Sequence, residues 1–214
     1  MFITFEGIDC SGKSTQCRLL EKLLIDKGYD VIAIREPGGT IISEKIRQLL
    51  LDKNLDSMTS QTELLLYSAS RAQLVNEVIK PALDSGKIVI CDRFYDSTTA
   101  YQGFGRGLPV EDIEHINRFS SNNLAPDLTV IVDISVEESL RRLKLAGKSA
   151  DRIESEGKDF FEAVRQGYLH FVTQSNVSSE VTKRRYKVIN GEDDVNTIKQ
   201  NILQIVINEI DKFK

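Results

Sequence analysis

Two glycines, a lysine and a serine near the N-terminus have the spacing G-x-x-x-x-G-K-S, from Gly7 to Ser14. Glycines at these positions let the backbone bend so that successive N–H groups point into one loop, where they can bind phosphate oxygens. In such a loop Lys13 reaches the β- and γ-phosphates of a nucleotide, and the Ser14 hydroxyl ligates Mg²⁺. The predicted phosphate loop comprises Gly7, Ile8, Asp9, Cys10, Ser11, Gly12, Lys13, Ser14 and Thr15.

A carboxylate and several arginines supply other groups that phosphoryl transfer requires. Asp92 follows the apolar run 88–91, where a Walker B carboxylate acts on the Mg²⁺ shell; capping of a following helix is the alternative role. Two phosphate groups that react must be held together against their repulsion, so cations should converge from several segments. Arginine suits this task because its planar fork binds two phosphate oxygens and stays charged. The candidates are Arg35, Arg47, Arg71, Arg93 and Arg152.

The residues near these motifs bear on the kind of acceptor. A hydroxyl acceptor needs a base to take its proton, whereas a phosphate monoester, with a second pKa of about 6, is largely ionised at neutral pH. His115 and His170 both fall within predicted helices, away from the motifs. The sequence therefore favours a monophosphate acceptor, although Glu6 or Asp9 could still act as a base.

The elements that must position these residues alternate between strands and helices. Apolar runs at residues 2–5, 31–34, 88–91, 128–134 and 186–189 predict buried strands, and amphipathic segments between them predict helices. This pattern predicts an α/β fold with a doubly wound, five-stranded parallel sheet flanked by helices and joined by right-handed crossovers. The loops at the carboxyl ends of such strands, including 35–40, are where ligands bind.

Local signals predict the ends of individual elements. Gly28 should end the first helix, and the capping box from Ser60 to Glu63 should begin a long helix that ends near Gly86, with a kink at Pro81. Residues 94–107 contain too many glycines for a regular element. The cation-rich stretch 141–158, which includes Lys148, is interpreted as a mobile lid or, alternatively, as a solvated charged face.

Composition limits the class of protein. A length of 214 residues with 41% hydrophobic residues suits a single domain, 1–214, and a net charge of −4 argues against a general nucleic-acid binder. Three cysteines without metal-ligand spacing indicate a reducing compartment. No apolar run approaches membrane-spanning length, so we expect a soluble cytoplasmic protein that binds neither nucleic acid nor membrane.

Other nucleotide-binding classes carry signatures that can be looked for. A regulatory GTPase requires N-K-x-D and a D-x-x-G after its Walker B strand, and the sequence has neither. Two alternatives remain open: a deoxynucleoside kinase of related fold, and a non-catalytic ATP-binding regulatory protein. The set of arginines speaks against the second.

Several sequence blocks together carry a family resemblance. They are F-E-G-I-D at 5–9, R-E-P-G-G-T at 35–40, D-R at 92–93, T-A-Y-Q-G at 99–103 and D-R-I-E at 151–154. In order and spacing they resemble thymidylate kinases of the bacterial type over essentially the whole chain. The resemblance implies a nucleoside monophosphate kinase-like P-loop fold, transfer of the γ-phosphoryl group of ATP to dTMP with Mg²⁺, and a homodimer.

The same resemblance implies roles for individual residues. ATP would bind the phosphate loop, and Ser14 and Asp92 would support the metal. Lys13, Asp9, Arg93 and Arg152 would be catalytic, with Arg152 acting from the lid on the transition state. Tyr67 would stack on thymine, a core aromatic being the alternative, and Arg71 and Gln102 would bind the base edge. The full dTMP set is Asp9, Arg35, Glu36, Pro37, Arg47, Tyr67, Arg71, Arg93, Thr98 and Gln102.

Cys10 departs from the small residue that the family usually has at this position. A thiol near a helix N-terminus can have a lowered pKa, which suggests the hypothesis that oxidation or alkylation of Cys10 blocks ATP binding. The alternative is a small residue tolerated in the loop.

Overall fold

The protein is described from a computed structural model, which covers residues 1–147, 151–177 and 185–212. Lys148 of the predicted lid lies outside the described residues. Five strands form one parallel sheet: β1 (Phe2–Glu6), β2 (Val31–Arg35), β3 (Ile88–Asp92), β4 (Leu128–Asp133) and β5 (Tyr186–Asn190). Their order across the sheet is β2-β3-β1-β4-β5, which confirms the predicted fold.

The helices cover both faces of this sheet. They are α1 (Lys13–Asp26), α2 (Ile41–Leu51), α3 (Ser60–Leu74), α4 (Lys80–Asp84), α5 (Tyr95–Thr98), α6 (Val110–Ser120), α7 (Val136–Leu145), α8 (Lys158–Val177) and α9 (Val195–Ile210). A short 3₁₀ turn spans Lys53–Leu55, and π-helical segments span Val75–Ile79 and Thr99–Gly105.

The alternation of side chains along β1 shows how the core is divided. Ile3 and Phe5 are buried in a cluster with α1 and α9, whereas Phe2 lies in a second cluster with the end of α3 and the segment that follows it. Glu6 is also fully buried, although its side chain is ionisable. Because β1 is the central strand, the loop that follows it lies beside the end of β3, where Phe5 pairs with Asp92.

The end of α1 follows the sequence prediction. Gly28 has φ +87°, its N–H donates to the carbonyl of Ile25, and the N–H of Tyr29 donates to the carbonyl of Leu24. This pair of hydrogen bonds is the Schellman motif, which a residue with positive φ makes possible.

The start of α3 differs from the predicted capping box by one residue. The cap is Thr59, whose side chain accepts a hydrogen bond from the Thr62 N–H, and Ser60 is the first helical residue. Glu63 does not reach back to the cap, because it is buried and bonded to side chains from other elements. The predicted continuation toward Gly86 is present, with a π-helical turn just before Pro81.

The prediction that residues 94–107 form no regular element is wrong. They form α5 and a π-helical segment up to Gly105. The glycines are needed for close packing, since a Cβ on Gly105 would lie 2.6 Å from a ring carbon of Phe160. In this segment the glycines therefore allow close packing against another helix and do not mark an irregular loop.

The predicted lid is partly helical. Its first residues belong to α7, and α8 begins at Lys158. Among all described residues, no helix combines the length and the apolar composition needed to cross a bilayer.

Candidate active site

A cleft of about 460 Å³ opens at the carboxyl edge of the sheet. Most of the predicted site residues line it together: Asp9, Cys10, Gly12, Lys13, Ser14, Thr15, Arg35, Glu36, Pro37, Arg47, Tyr67, Arg71, Asp92, Arg93, Thr98 and Gln102. Residues separated by more than ninety positions in the chain thus meet in one place. Gly7, Ile8, Ser11 and Arg152 do not line the cleft.

The phosphate loop is held against the sheet by its first glycine. Gly7 has φ +136°, and a Cβ at this position would lie 2.4 Å from the carbonyl oxygen of Val132. Gly12, with φ +100°, precedes the first residue of α1. Both positions therefore require glycine, the first because of space as well as conformation.

Helix α7 binds the outward-facing carbonyls of the same loop. Ser139 Oγ donates to the carbonyl of Asp9 at 2.7 Å, and Arg142 Nη1 donates to the carbonyls of Cys10 and Ser11 at 3.3 and 3.4 Å. Hydrogen bonds to these carbonyls help to fix the backbone of a loop whose remaining N–H groups can bind a phosphate. Neither Ser139 nor Arg142 was identified as a loop support from the sequence.

Lys13 is buried at the base of the loop. Its Nζ donates to the carbonyl of Ile8 at 2.7 Å and to Ser11 Oγ at 3.2 Å. Burial, with Arg93 nearby, lowers the pKa of Lys13 to about 8. A bound phosphate would stabilise the charged form of Lys13, which burial disfavours.

Ser14 and Asp92 fit a magnesium site. The Ser14 hydroxyl donates to Asp92 Oδ2, so the two oxygen donors from α1 and β3 are adjacent at the wall of the cleft. Mg²⁺ prefers hard oxygen ligands and is commonly held by one or two protein groups together with substrate phosphates and water. The donor set is therefore suitable in kind and in position.

Arg93 is surrounded by acceptors although it faces the cleft. Its Nη2 donates to Asp9 Oδ1 at 2.7 Å, and its Nη1 donates to the Gly7 carbonyl at 3.0 Å. Burial alone would raise the pKa of Asp9, but Arg93 and Lys13 hold it below its usual value. Asp9 is thus ionised, and Arg93 and Asp9 place one cation and one anion side by side at the wall of the cleft.

Glu6 lies beneath Arg93 in a network that the sequence did not reveal. Ser97 Oγ and the Tyr168 hydroxyl donate to Glu6 Oε2 at 2.6 and 3.2 Å, and Arg93 Nη1 donates to the Tyr168 hydroxyl at 3.1 Å. Burial, with Asp96 nearby, raises the pKa of Glu6 to about 8. Glu6 is therefore mostly protonated at neutral pH, and the positive charge of Arg93 is balanced chiefly by Asp9.

A second buried ion pair, between Arg185 and Asp96, holds α5 in place. Arg185 donates to Asp96 and, at 2.7 Å, to the hydroxyl of Tyr95. Its guanidinium lies 5.0 Å from the ring centre of Tyr95 and 4.8 Å from that of Tyr186. These contacts anchor the short helix that carries Ser97 and Thr98.

Two further cations converge on the loop after β2. Arg35 Nη1 and Arg47 Nη1 donate to the carbonyl of Pro37 at 2.7 and 3.1 Å. Arg35 also binds Glu44 through its other terminal nitrogen. The two guanidinium groups therefore lie side by side at the rim of the cleft, an arrangement suited to an anionic ligand.

Arg71 is fully buried in the inner part of the cleft. It donates to Glu36, to Thr98 Oγ1 at 2.5 Å and to Asn117 Oδ1 at 2.8 Å. Its Nε and Glu36 Oε2 are buried without a hydrogen-bond partner in the part of the chain that the structure describes. Unpaired buried polar atoms are costly, so a ligand that pairs with them gains affinity and selectivity.

Arg152 is not placed with the other arginines. Its Nη1 lies 2.6 Å from Glu63 Oε2, and its Nε donates to the carbonyl of Leu50 at 2.9 Å. It lines a separate, smaller pocket with Arg106 and Glu156. The reason is electrostatic, because buried Glu63 needs cationic partners and Arg152 is within reach.

The expectation that Cys10 has a lowered pKa is wrong. Burial raises the pKa of the thiol, and Asp9 and Glu154 act in the same direction. Cys10 has φ +58° and lies in the loop before α1 begins. The thiol is therefore mostly protonated at neutral pH, which removes the physical basis for the proposed reactivity.

Comparison with known proteins gives one consistent result. The family model described as "Thymidylate kinase" matches residues 5–202. A thymidylate kinase from Thermosipho melanesiensis is 48% identical over 211 residues, covering 99% of this chain and all of that protein. One from Ectopseudomonas mendocina is 45% identical, covering 95% of this chain and 97% of that protein. A crystal structure of thymidylate kinase from Ehrlichia chaffeensis matches with TM-score 0.76 and 33% identity, covering 96% of this chain and 98% of that one.

Proposed function

The chain belongs to the thymidylate kinase family, which transfers the γ-phosphoryl group of ATP to dTMP to give dTDP, and we propose that the cleft described above performs this transfer with Mg²⁺. One observation carries the proposal: a phosphate loop, an oxygen-donor pair and four cleft arginines from separate segments line a single cleft. Such a convergence serves a reaction between two polyanions better than it serves binding of one nucleotide.

ATP occupies the end of the cleft formed by the phosphate loop. The loop N–H groups and Lys13 bind its phosphates, and the helix dipole of α1 favours negative charge at the same point. Ser14 and Asp92 would hold Mg²⁺, which neutralises charge on the phosphates when bound. Ser139 and Arg142 support the loop from behind and keep its N–H groups oriented.

dTMP occupies the other end, between the loop after β2 and helix α3. Arg93, with Arg35 and Arg47 at the rim, binds the 5′-phosphate, and Asp9 lies beside that phosphate and the sugar. Tyr67 stacks on thymine, while Arg71, Thr98 and Gln102 face the base edge, with Glu36 and Pro37 closing the side. Arg71 is already held in place by Glu36 and by Thr98.

Catalysis then rests on position and charge. The phosphate of dTMP is already ionised at neutral pH, so no general base is needed for the attacking oxygen. The arginines and Lys13 reduce the repulsion between the two nucleotides as they approach in line. Exclusion of water from the cleft strengthens each of these interactions.

Arg152 remains our candidate for the transition-state cation, acting from a lid formed by the stretch 141–158. Its ion pair with Glu63 means that this role requires Arg152 to exchange Glu63 for a phosphate oxygen. Movement of this stretch within a single kinase domain, 1–214, would bring about that exchange.

We also propose that the enzyme is a homodimer and works in the cytoplasm. Apolar side chains are exposed on the packed pair α2 and α3: Ile41, Ile42, Leu49 and Leu65. Ile42 and Leu49 are seven residues apart and so share one face of α2, which suits helix packing between two copies. The three cysteines are free thiols, consistent with a reducing compartment.

An ADP-release assay tests the proposed reaction. With Mg·ATP present, dTMP should stimulate ADP release, whereas thymidine, CMP and AMP should not. Release with thymidine would instead support a deoxynucleoside kinase. Binding of ATP without any acceptor-dependent release would support a regulatory protein.

A further inference from the structure

Glu63 is a buried carboxylate beside the inner end of the cleft. It is only 1% exposed, and neither the sequence blocks nor the phosphate chemistry gives it a function. Its Oε1 accepts hydrogen bonds from Gln102 Nε2 at 2.7 Å and Arg106 Nε at 3.2 Å. Its Oε2 lies 3.2 Å from Arg106 Nη2 and 2.6 Å from Arg152 Nη1.

Glu63 is ionised because of these partners. Burial alone would raise the pKa of its carboxyl, but hydrogen bonds from Arg106, Gln102 and Arg152 and the charge of Arg106 hold it below the usual value. An ionised carboxylate accepts hydrogen bonds and cannot donate one. The end of the Gln102 amide that faces Glu63 must therefore be its NH₂ group.

This restriction determines which way the amide of Gln102 points. The two ends of a glutamine amide are similar in shape, so a neutral neighbour would permit either orientation. With the NH₂ group on Glu63, the carbonyl oxygen is left for another partner. Within residues 1–147, 151–177 and 185–212, no hydrogen bond to Gln102 Oε1 is found, and Gln102 lines the cleft.

The inner cleft consequently presents one acceptor and one set of donors. Gln102 supplies the acceptor, while Arg71 has only donors, and its Nε has no hydrogen-bond partner among the described residues. A thymine edge has an N3–H donor beside the O4 acceptor, which matches this arrangement. A cytosine edge has an N3 acceptor beside an N4 amine donor, which opposes it at both positions.

We propose that Glu63 is a positioning residue that sets the base specificity of the kinase, by fixing the amide of Gln102 so that its oxygen accepts from the N3–H of thymine. The inference rests on the proposed function, since it assumes that a nucleobase occupies the inner cleft. It adds that rejection of cytosine nucleotides depends on a charge that does not itself contact the base.

The test compares dTMP with 5-methyl-dCMP, which keeps the methyl group and differs only at N3 and C4. In Glu63→Gln, a neutral amide replaces the carboxylate and Gln102 is free to turn over. The ratio of kcat/KM for dTMP to that for 5-methyl-dCMP should fall by about tenfold or more. The reason is that the turned amide of Gln102 can donate from its NH₂ group to N3 of the cytosine ring, which otherwise stays unpaired. Loss of activity toward both substrates with an unchanged ratio would overturn the proposal.

Glu156→Gln is the matched control. Glu156 binds Arg106 Nη1 at 2.5 Å, so this variant disturbs the same arginine without touching Gln102. Its substrate ratio should equal that of the unmodified enzyme. A similar fall in both variants would mean that general loosening around Arg106, and not the orientation of Gln102, changes the ratio, and would overturn the proposal.

Two further variants test whether Glu63 acts through Gln102 and cover the case in which Glu63→Gln does not fold. In Gln102→Leu the acceptor is absent, so adding Glu63→Gln should leave the substrate ratio unchanged; an additional change would show that Glu63 acts by another route. If Glu63→Gln does not fold, the charge-balanced pair Glu63→Gln with Arg152→Met provides the same comparison, and its ratio decides. Failure of the unmodified enzyme to use dTMP would instead contradict the proposed function.

Discussion

Arg93 Nη2 lies 2.7 Å from Asp9 Oδ1, so the cation proposed to bind the acceptor phosphate is joined to a carboxylate of the phosphate loop. The pair links β3 to the loop after β1, and both residues are more than three-quarters buried. In the proposed reaction, a phosphate bound to Arg93 also lies near Asp9, so this one contact would couple the two nucleotide subsites.

Arg93→Lys should mainly weaken the use of dTMP. Lysine keeps the charge but has fewer donors and no planar fork, so it cannot hold Asp9 and Tyr101 and also bind two oxygens of a phosphate. We expect kcat/KM for dTMP to fall by about 100-fold, with KM for ATP changed by less than about threefold. Arg35→Lys, at an arginine that is 45% exposed, should have a much smaller effect. Equal losses for both substrates would contradict this assignment.

ATP affinity should depend on the charge of Lys13. Its pKa is lowered to about 8, so the free enzyme loses this charge as pH rises from 7 to 9, while the phosphates of ATP stay ionised. Affinity measured by calorimetry should be about tenfold weaker at pH 9 than at pH 7. Lys13→Arg stays charged and should show no such decline. A pH-independent affinity in the unmodified enzyme would exclude this role.

Glu6 should make stability fall as the solution becomes more alkaline. Its pKa is raised from 4.5 in the unfolded chain to about 8 in the folded protein, so between these values the folded state binds more protons. The free energy of unfolding therefore decreases with rising pH in this window, by at most about 1.4 kcal/mol per pH unit from this group. Urea unfolding of Glu6→Gln should show a flatter profile between pH 5 and 8. An unchanged profile would mean that Glu6 is ionised in the fold.

Arg152→Ala should destabilise the protein, because Glu63 would lose one of its partners in a buried site. We expect the free energy of unfolding to fall by about 1–3 kcal/mol. Steady-state kinetics on the same variant address the second role of this arginine. A kcat that is unchanged would contradict the transition-state function implied by the family resemblance.

Leu65→Glu should reduce the apparent mass in solution to that of one chain, as measured by light scattering after size-exclusion chromatography. Leu65 is 57% exposed on α3, within the apolar surface proposed to join two copies. A charge buried in that interface would be costly. Ile25→Glu on α1, where the side chain is 52% exposed, is the control and should not change the mass. A monomeric unmodified protein would contradict the dimer directly.

The fold was largely predictable because its signals are local. Five apolar runs predicted the strands, and Gly28 marked a helix end that the structure confirms. Residues 94–107 were misjudged because their glycines are explained by contacts with a helix much later in the chain, as at Gly105 and Phe160. A single sequence holds no sign of such a contact.

In the candidate site, too, the residues of local motifs were predictable and those that depend on distant contacts were not. Lys13, Ser14 and Asp92 follow from motif spacing, and they lie together in the cleft. Tyr168 and Glu63 could not be found this way, since each acts through side chains from distant segments. Tyr168 belongs to no motif, and Glu63 belongs only to the predicted capping box. The position of Arg152 was missed for a related reason, because the charge it pairs with was assigned to a helix cap.

The contacts of Arg185 and Gly191 have a consequence for how the protein is made. Arg185 anchors the helix that carries Ser97, and the carbonyl of Gly191 accepts from Arg142, which in turn holds the loop at Cys10. These segments are synthesised after every residue that lines the cleft. The phosphate loop and α5 therefore lack these contacts until the chain has been made as far as Gly191, so the cleft is completed later than its own lining.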